Sequence, residues 1–398
     1  MERMENENPD RISSLSDDLI VSILSHLPAK EVAQTLILSK RWRNLWAIVP
    51  SLCFDICNLD GDCEKINDFV GKFLLKRDGA TDTQKFGILG QGIMHSCESF
   101  DPVYPETNKW ITYAVKHNVK ALELRFCGYC TRCFPVCLLA CETLETLKLQ
   151  RNNWNFVKLK SSAVHLPKLR NLYLDQMNFC NDNLEKVLMG CPNLQDLTME
   201  KCILNMSEFS CHSVQRLRIV GPYTFAKSIS ISSPCVQVLV LKCHMDSKII
   251  LKDMPMVTQA TLYIYSSFVE EQYNCHLFRS LSGVKNLDIS SLCWEEMLKG
   301  EMQKCPTLQF HSLKFLSLHC LGLRCSLDIW SAFIKHCPNL EKHSLTPLEK
   351  SCQEFPFATI TTACVIWKNV SSTGTKEIQG VEITLFVHRV LLWRSMAI

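Results

Sequence analysis

The chain has 398 residues, 47% hydrophobic and 21% charged, a balance that buries a core and excludes an intrinsically disordered protein. Its formal net charge of +3 is too near neutral for a nucleic-acid footprint, which needs a clustered basic face. No run approaches the roughly 18 apolar residues that span a bilayer, so no membrane partner is expected.

Met1 to Ser14 is polar and acid-containing, without the apolar stretch of a secretory leader. The 23 cysteines are accordingly expected in a reducing compartment, as small buried hydrophobes or occasional ligands. An odd count also fits poorly with a closed disulfide framework.

Asp10 to Trp46 predicts a helical block. Leu15, Leu19, Ile20, Ile23, Leu24 and Leu27 recur at helical spacing as one apolar stripe. Ser16 or Asp17 suits the cap, Asp17 and Asp18 suit the positive end of the helix dipole, and Pro28 stops this helix or opens the next. Val32, Leu36 and Leu38 continue the pattern, and Ser39 introduces a short basic helix with Trp42 and Trp46. About 40 residues rarely make a stable unit alone, so this block needs either the following segment or a partner protein.

Residues 51–118 show little periodicity and read as a connector and cap. Ile66 to Leu75 suits a helix with Phe69, Val70, Phe73 and Leu74 inward. Gly87, Gly90 and Gly92 only loosely resemble a phosphate loop, because the Lys-Ser/Thr ending is missing.

From residue 119 to 345 an apolar-x-x-apolar-x-apolar frame recurs. Its central positions are Leu122, Leu147, Leu172, Leu197, Leu217, Leu239, Ala260, Leu287, Leu316 and His343. Steps of about 20 to 29 residues with a short strand in each are the signature of leucine-rich repeats. One such strand cannot bury its apolar side alone, so neighbours stack into a parallel sheet covered behind by helices or irregular turns. Asn181 to Met189 and Trp330 to Ile334 read as helical returns, and the uneven steps predict a bent or imperfect horseshoe. Residues between the frame leucines face the open, concave side. The candidates for a target-binding surface are Arg125, Lys148, Gln150, Tyr173, Asp175, Glu200, Arg216, Arg218, Lys242 and Tyr263, whose mixed charge suits a protein ligand rather than nucleic acid.

Cys127, Cys130, Cys133 and Cys137 have the spacing of a bacterial iron–sulfur run. The repeat accounts for part of it. Cys127 falls at the Asn/Cys ladder position after Leu124, as Cys202 does after Met199, and Cys141 precedes its frame as Cys191, Cys305 and Cys337 do. Cys130, Cys133 and Cys137 keep no place in the repeat. No proline follows Cys137 and no second ligand group is apparent, so no metal and no cofactor is expected. Adjacent pairs such as Cys243-His244 and His319-Cys320 point to opposite faces of a strand and share a ligand poorly. No metalloprotease helix, Walker loop or nucleophile elbow occurs. A redox or metal-sensing protein built on the cysteine run remains the alternative from a different class.

The N-terminal block resembles a plant F-box. The matching stretches are Asp10-Arg11-Ile12-Ser13, Asp17-Asp18-Leu19-Ile20, Ile23-Leu24-Ser25, Leu27-Pro28, Leu38-Ser39-Lys40-Arg41-Trp42-Arg43 and Leu45-Trp46. Ser16 stands where the family has proline, which implies weakened but retained docking there. The repeats resemble those that follow F-boxes in plant proteins, and Gly380 to Phe386 is similar to a strand of the small FBD domain that often ends them. The resemblance implies an α/β chain: a three-helix F-box at 10–50, an irregular leucine-rich-repeat solenoid at 119–345, and a partial FBD within 346–398. It implies a non-catalytic adaptor in the nucleus or cytoplasm. Leu15, Leu19, Ile23, Leu24, Leu27 and Pro28 would enter the groove of a Skp-type adaptor, with Trp42 closing the module or touching that adaptor. Through it the chain would join a cullin and a RING protein and present an unidentified target for ubiquitin transfer. The alternative within this resemblance is a repeat interaction protein acting outside ubiquitin transfer.

Overall fold

A computed structural model of the chain describes residues 11–12, 14–55, 63–77, 79–90, 106–126, 135–151, 164–180, 183–222, 228–244, 248–265, 276–291, 305–321 and 327–348, with 298, 302–303, 363–366 and 382–385 besides. The chain forms two units, Met1–Asn178 with Lys186–Leu194, and Phe179–Glu185 with Gln195–Ile398.

The first unit opens with three short helices, α1 (Asp17–Leu24), α2 (Ala29–Gln34) and α3 (Lys40–Leu45). Ser16 caps α1, its Oγ accepting from the Leu19 N–H at 3.4 Å. Arg41 ties the third helix to the first, donating from Nε to Asp17 Oδ1 at 2.6 Å and from Nη2 to the Leu15 carbonyl at 2.6 Å. Ile20, Leu24, Ala29, Val32, Trp42, Leu45 and Trp46 fill the small core between them.

That core does not end with the helices. Strand β1 (Ser51–Asp55) follows directly, and helix α4 (Cys63–Leu75) lays Ile66, Val70, Phe73 and Leu74 inward against it. Trp46 packs edge-on to Phe73 at 4.9 Å between ring centroids, and Phe54 meets Phe73 and Phe86 at 5.4 and 5.7 Å. Arg77 is buried and donates to the Val49 carbonyl at 2.7 Å and to Thr83 Oγ1 at 2.6 Å. A buried guanidinium is tolerated only with acceptors in place, so this side chain staples the end of the helical block to the first turn of sheet.

Strands β2 (Lys85–Leu89), β3 (Ala121–Phe126), β4 (Thr146–Arg151) and β5 (Asn171–Asp175) continue in parallel from β1, with helices α5 (Thr107–Lys116) and α6 (Val136–Leu139) in the crossovers. The register runs Leu52↔Phe86↔Leu122↔Leu147↔Leu172, so the inward residues stack in a single row. The parallel sheet thus reaches back two strands before residue 119, into the stretch read from sequence as a connector. Gly87 lies mid-strand in β2 beside Cys53, not in a phosphate loop.

In sequence, β6 (Asn178–Cys180) and α7 (Asn183–Met189) come next. Gly190 ends this helix where a Cβ would run into the Val164 carbonyl, and its own carbonyl accepts from the Leu166 N–H at 2.8 Å.

The second unit stacks β7 (Asp196–Glu200), β10 (Arg216–Val220), β12 (Val238–His244), β14 (Gln259–Tyr265), β15 (Asn286–Ser291), β16 (Phe315–Leu321) and β17 (Lys342–Leu348) in parallel. Behind the first of these strands the described residues of the returns form strands and turns rather than helices. After β8 (Ile203–Asn205) come β9 (Glu208–Ser210), β11 (Ser228–Ser232) and β13 (Lys248–Lys252), which pair as a second parallel sheet. Helices return only later, as α8 (His276–Ser280) and α9 (Leu327–Ile334), where Phe278, Phe310 and Phe333 meet edge to face. His343 sits in register with Leu316 and is half-buried, and desolvation pulls its pKa below the usual 6.5. β18 (Ala363–Ile366) and β19 (Glu382–Leu385) add two antiparallel strands after β17, within the segment expected to hold an FBD-like strand.

Candidate functional site

The N-terminal helices carry apolar residues on two sides, and packing decides which are free. Ile20 and Leu24 face the core of the block, whereas Leu19 and Ile23, one turn apart on α1, are 54% and 44% exposed. Leu15, Leu27 and Pro28 are half-buried. Leu24 and Trp42, expected from sequence as docking candidates, are interior: Leu24 is sealed between the helices and Trp42 closes the module. The surface instead offers Ile12, Ile37 and Leu38, with Ile37 83% exposed; none of the three is among the docking residues expected from sequence. The apolar run Leu36-Ile37-Leu38 ahead of Ser39 was the available signal. These large apolar side chains lie open to solvent on a small module.

The open face of the first unit's sheet follows from the register. Glu123, Lys148 and Tyr173 form one row across β3, β4 and β5, and Arg125, Gln150 and Asp175 the next. Arg125 donates to Glu123 Oε1 at 2.9 Å through Nε. A depression of about 310 Å³ lies among Glu123, Arg125, Lys148, Gln150 and Tyr173. Asp175 belongs to the row but is only 7% exposed, so it is not an open contact position as the sequence suggested. The chain turns sharply beside it, at Gln176 with φ of 54°.

In the second unit, Glu200, Arg216, Arg218, Lys242 and Tyr263 also lie on one open face. Arg216 makes a two-pronged ion pair with Asp196, and Arg218 Nε donates to Glu200 Oε1 at 3.3 Å. The Lys242 ammonium sits 4.1 Å from the centre of the Tyr263 ring, and burial followed by the nearby Arg218 charge lowers its pKa. Farther along, Ser317 Oγ and His319 Nε2 are 3.2 Å apart, and Ser344 Oγ donates to Ser317 Oγ at 3.0 Å. Serine, histidine and aspartate meet here, since Asp288 Oδ1 also lies 3.2 Å from His319 Nε2. A hydrolytic relay needs the carboxylate at one ring nitrogen and the hydroxyl at the other. Both approach Nε2 in this cluster, so the arrangement is not such a relay.

The cysteines divide by place in the repeat. Cys141, Cys191 and Cys337 are buried at the entry to their strands, and Cys202 is buried at its ladder position. Burial pushes the Cys191 and Cys243 thiols up to about 12 and the Cys211 thiol up to about 11. Such thiols stay protonated and act as small hydrophobes, neither ligands nor nucleophiles. Cys137 lies on α6 with its sulfur 3.5 Å from Thr112 Oγ1. Cys127, Cys130 and Cys133 lie outside the described residues. Among the described residues no three His, Cys, Asp or Glu side chains come together to hold a metal.

Comparison with known proteins finds two family models that match the chain. Residues 12–54 match the family model for the F-box domain. Residues 107–345 match the model described as FBD-associated F-box protein At5g56370, LRR repeats. The chain is 30% identical over 292 residues to the F-box/LRR-repeat protein At3g26922 of Arabidopsis thaliana, covering 71% of this chain and 90% of that protein. It is 29% identical over 373 residues to F-box/LRR-repeat protein At3g59210 of the same plant, covering 88% and 72%. With F-box/FBD/LRR-repeat protein At4g26340, also of Arabidopsis thaliana, identity is 35% over 197 residues, and the match spans only 44% of that relative.

Proposed function

We propose, from the premise that the chain belongs to the plant F-box/leucine-rich-repeat family, that it is the substrate-recognition subunit of a Skp–cullin–F-box ubiquitin ligase. It performs no covalent chemistry itself. The N-terminal helices dock on a Skp-type adaptor, which brings the cullin and the RING protein, and the open faces of the repeats hold the target. The catalytic gain is proximity, which turns a meeting of two freely diffusing proteins into a reaction between held ones. Nucleus and cytoplasm are where such a ligase would work.

The observation that carries the reading is the division of α1 into a buried pair, Ile20 and Leu24, and an exposed pair, Leu19 and Ile23. The exposed pair leaves about half of its apolar surface open, which a partner would cover. The test is co-purification of the chain with a Skp-type adaptor, repeated with Leu19→Asp and Ile23→Asp together. The wild type is expected to hold the adaptor and the double variant to lose it by more than about a hundredfold, two buried charges each costing several kcal/mol, with the fold intact by circular dichroism. Equal recovery of adaptor by both forms, or by neither, overturns the docking claim.

A further inference from the structure

The carboxylates on the open face of the second unit are not held alike. Asp196 has both its oxygens on the Arg216 guanidinium, and Glu200 has Arg218. Asp288, on β15, has no guanidinium beside it among the described residues. Among the described residues its Oδ1 is shut away from solvent without a hydrogen bond, with His319 Nε2 3.2 Å away. Ser290 follows on the same side of the strand, 1% exposed, and its hydroxyl also makes no hydrogen bond among the described residues. Lys242 lies within the field of Asp288, but its ammonium rests over the Tyr263 ring.

Unpaired buried acceptors cost free energy until a donor reaches them. Here two of them sit together on a face where Asp196 and Glu200 have guanidinium partners, and the Asp288 side chain keeps 32% exposure through which a donor can enter. A guanidinium suits the site better than an ammonium: its planar fork carries five N–H donors and addresses a carboxylate and a neighbouring hydroxyl at once. We propose that Asp288, with Ser290 and Ser317 beside it, receives an arginine side chain of the target protein. That arginine does for Asp288 what Arg216 does for Asp196. The inference rests on the reading of this face as target-binding.

The test uses the full chain bound to its adaptor and a random-peptide phage library as probe, with Asp288→Asn and Thr261→Arg as variants. Thr261 stands directly opposite Asp288 in the register, as Arg216 stands opposite Asp196, so Thr261→Arg supplies the missing guanidinium from within. Variants are compared at matched unfolding midpoints, and either one alone suffices should the other fail to fold. Wild-type binders are expected to be enriched in arginine. Synthetic copies are expected to weaken about tenfold when that arginine becomes citrulline, and by a similar factor against either variant. Binders without arginine, or binders indifferent to both variants, overturn the proposal. If those binders still weaken on Arg218→Glu, the face remains target-binding and only the arginine site falls. A folded chain that selects no peptide at all overturns both readings.

Discussion

The two units solve the same geometric problem with different returns. In the first, α4 and α5 carry the chain back between β1, β2 and β3, whose central residues Leu52, Phe86 and Leu122 stand roughly 35 apart. In the second, β9, β11 and β13 do so, and Leu197, Leu217, Leu239 and Ala260 follow at about 20 residues. A helix rises about 1.5 Å per residue and a strand about 3.3 Å, so a helical return needs roughly twice the residues for the same distance. Repeat length therefore selects the return. The cores differ to match: a helical return leaves a deep gap that Phe54, Phe69, Phe73, Phe86 and Trp46 fill, whereas Ile229 and Ile231 suffice behind Leu239 and Leu241.

The largest effect is expected where the helix-backed core is deepest. Phe86→Ala should cost about 3–5 kcal/mol, read from denaturant midpoints, with amide exchange accelerating in α4 and β1 far more than in β11. Uniform acceleration in both units would erase the distinction. Ser230→Pro strikes the other design. It removes the Ser230 N–H that donates to the Ser207 carbonyl at 2.7 Å, in the middle strand of the small sheet, and should cost about 3 kcal/mol. Thermal unfolding unchanged by this proline would mean the rear strands contribute nothing. The smallest effect is at His343. Its folded pKa is lowered, so the unfolded chain binds the proton more readily and stability falls as pH drops below 6.5. His343→Leu should flatten that slope in urea titrations at successive pH values, and an unchanged slope would assign the acid sensitivity elsewhere.

How much of this was legible depends on period. The frame leucines declared themselves because each strand buries alternate residues, and their register is the one the spacing predicts. β1 alternates as well, but in β2 Phe86, Gly87 and Ile88 are all buried, and both strands stand at wider spacing than the repeats that follow. The rear strands escaped because SISIS and KIILK are too short to tell from turns without their neighbours. On α1 the apolar residues read as one stripe, and only packing separated Leu24 from Ile23. Asp175 read from sequence as an open position of the concave face, and nothing in the sequence singled out Asp288. Burial, a tertiary quantity, is what sets them apart.

Arg77 bears on how such a chain can be recombined. The guanidinium reads the carbonyl that ends the helical block and the hydroxyl that begins the approach to β2, while Trp46 leans on Phe73. A graft that moves only the helices onto another repeat scaffold would sever both contacts and leave Trp46 bare. The transferable cassette is the helices together with β1, α4 and the turn through Thr83. Carried as one piece, it would bring its own aim along with its handle.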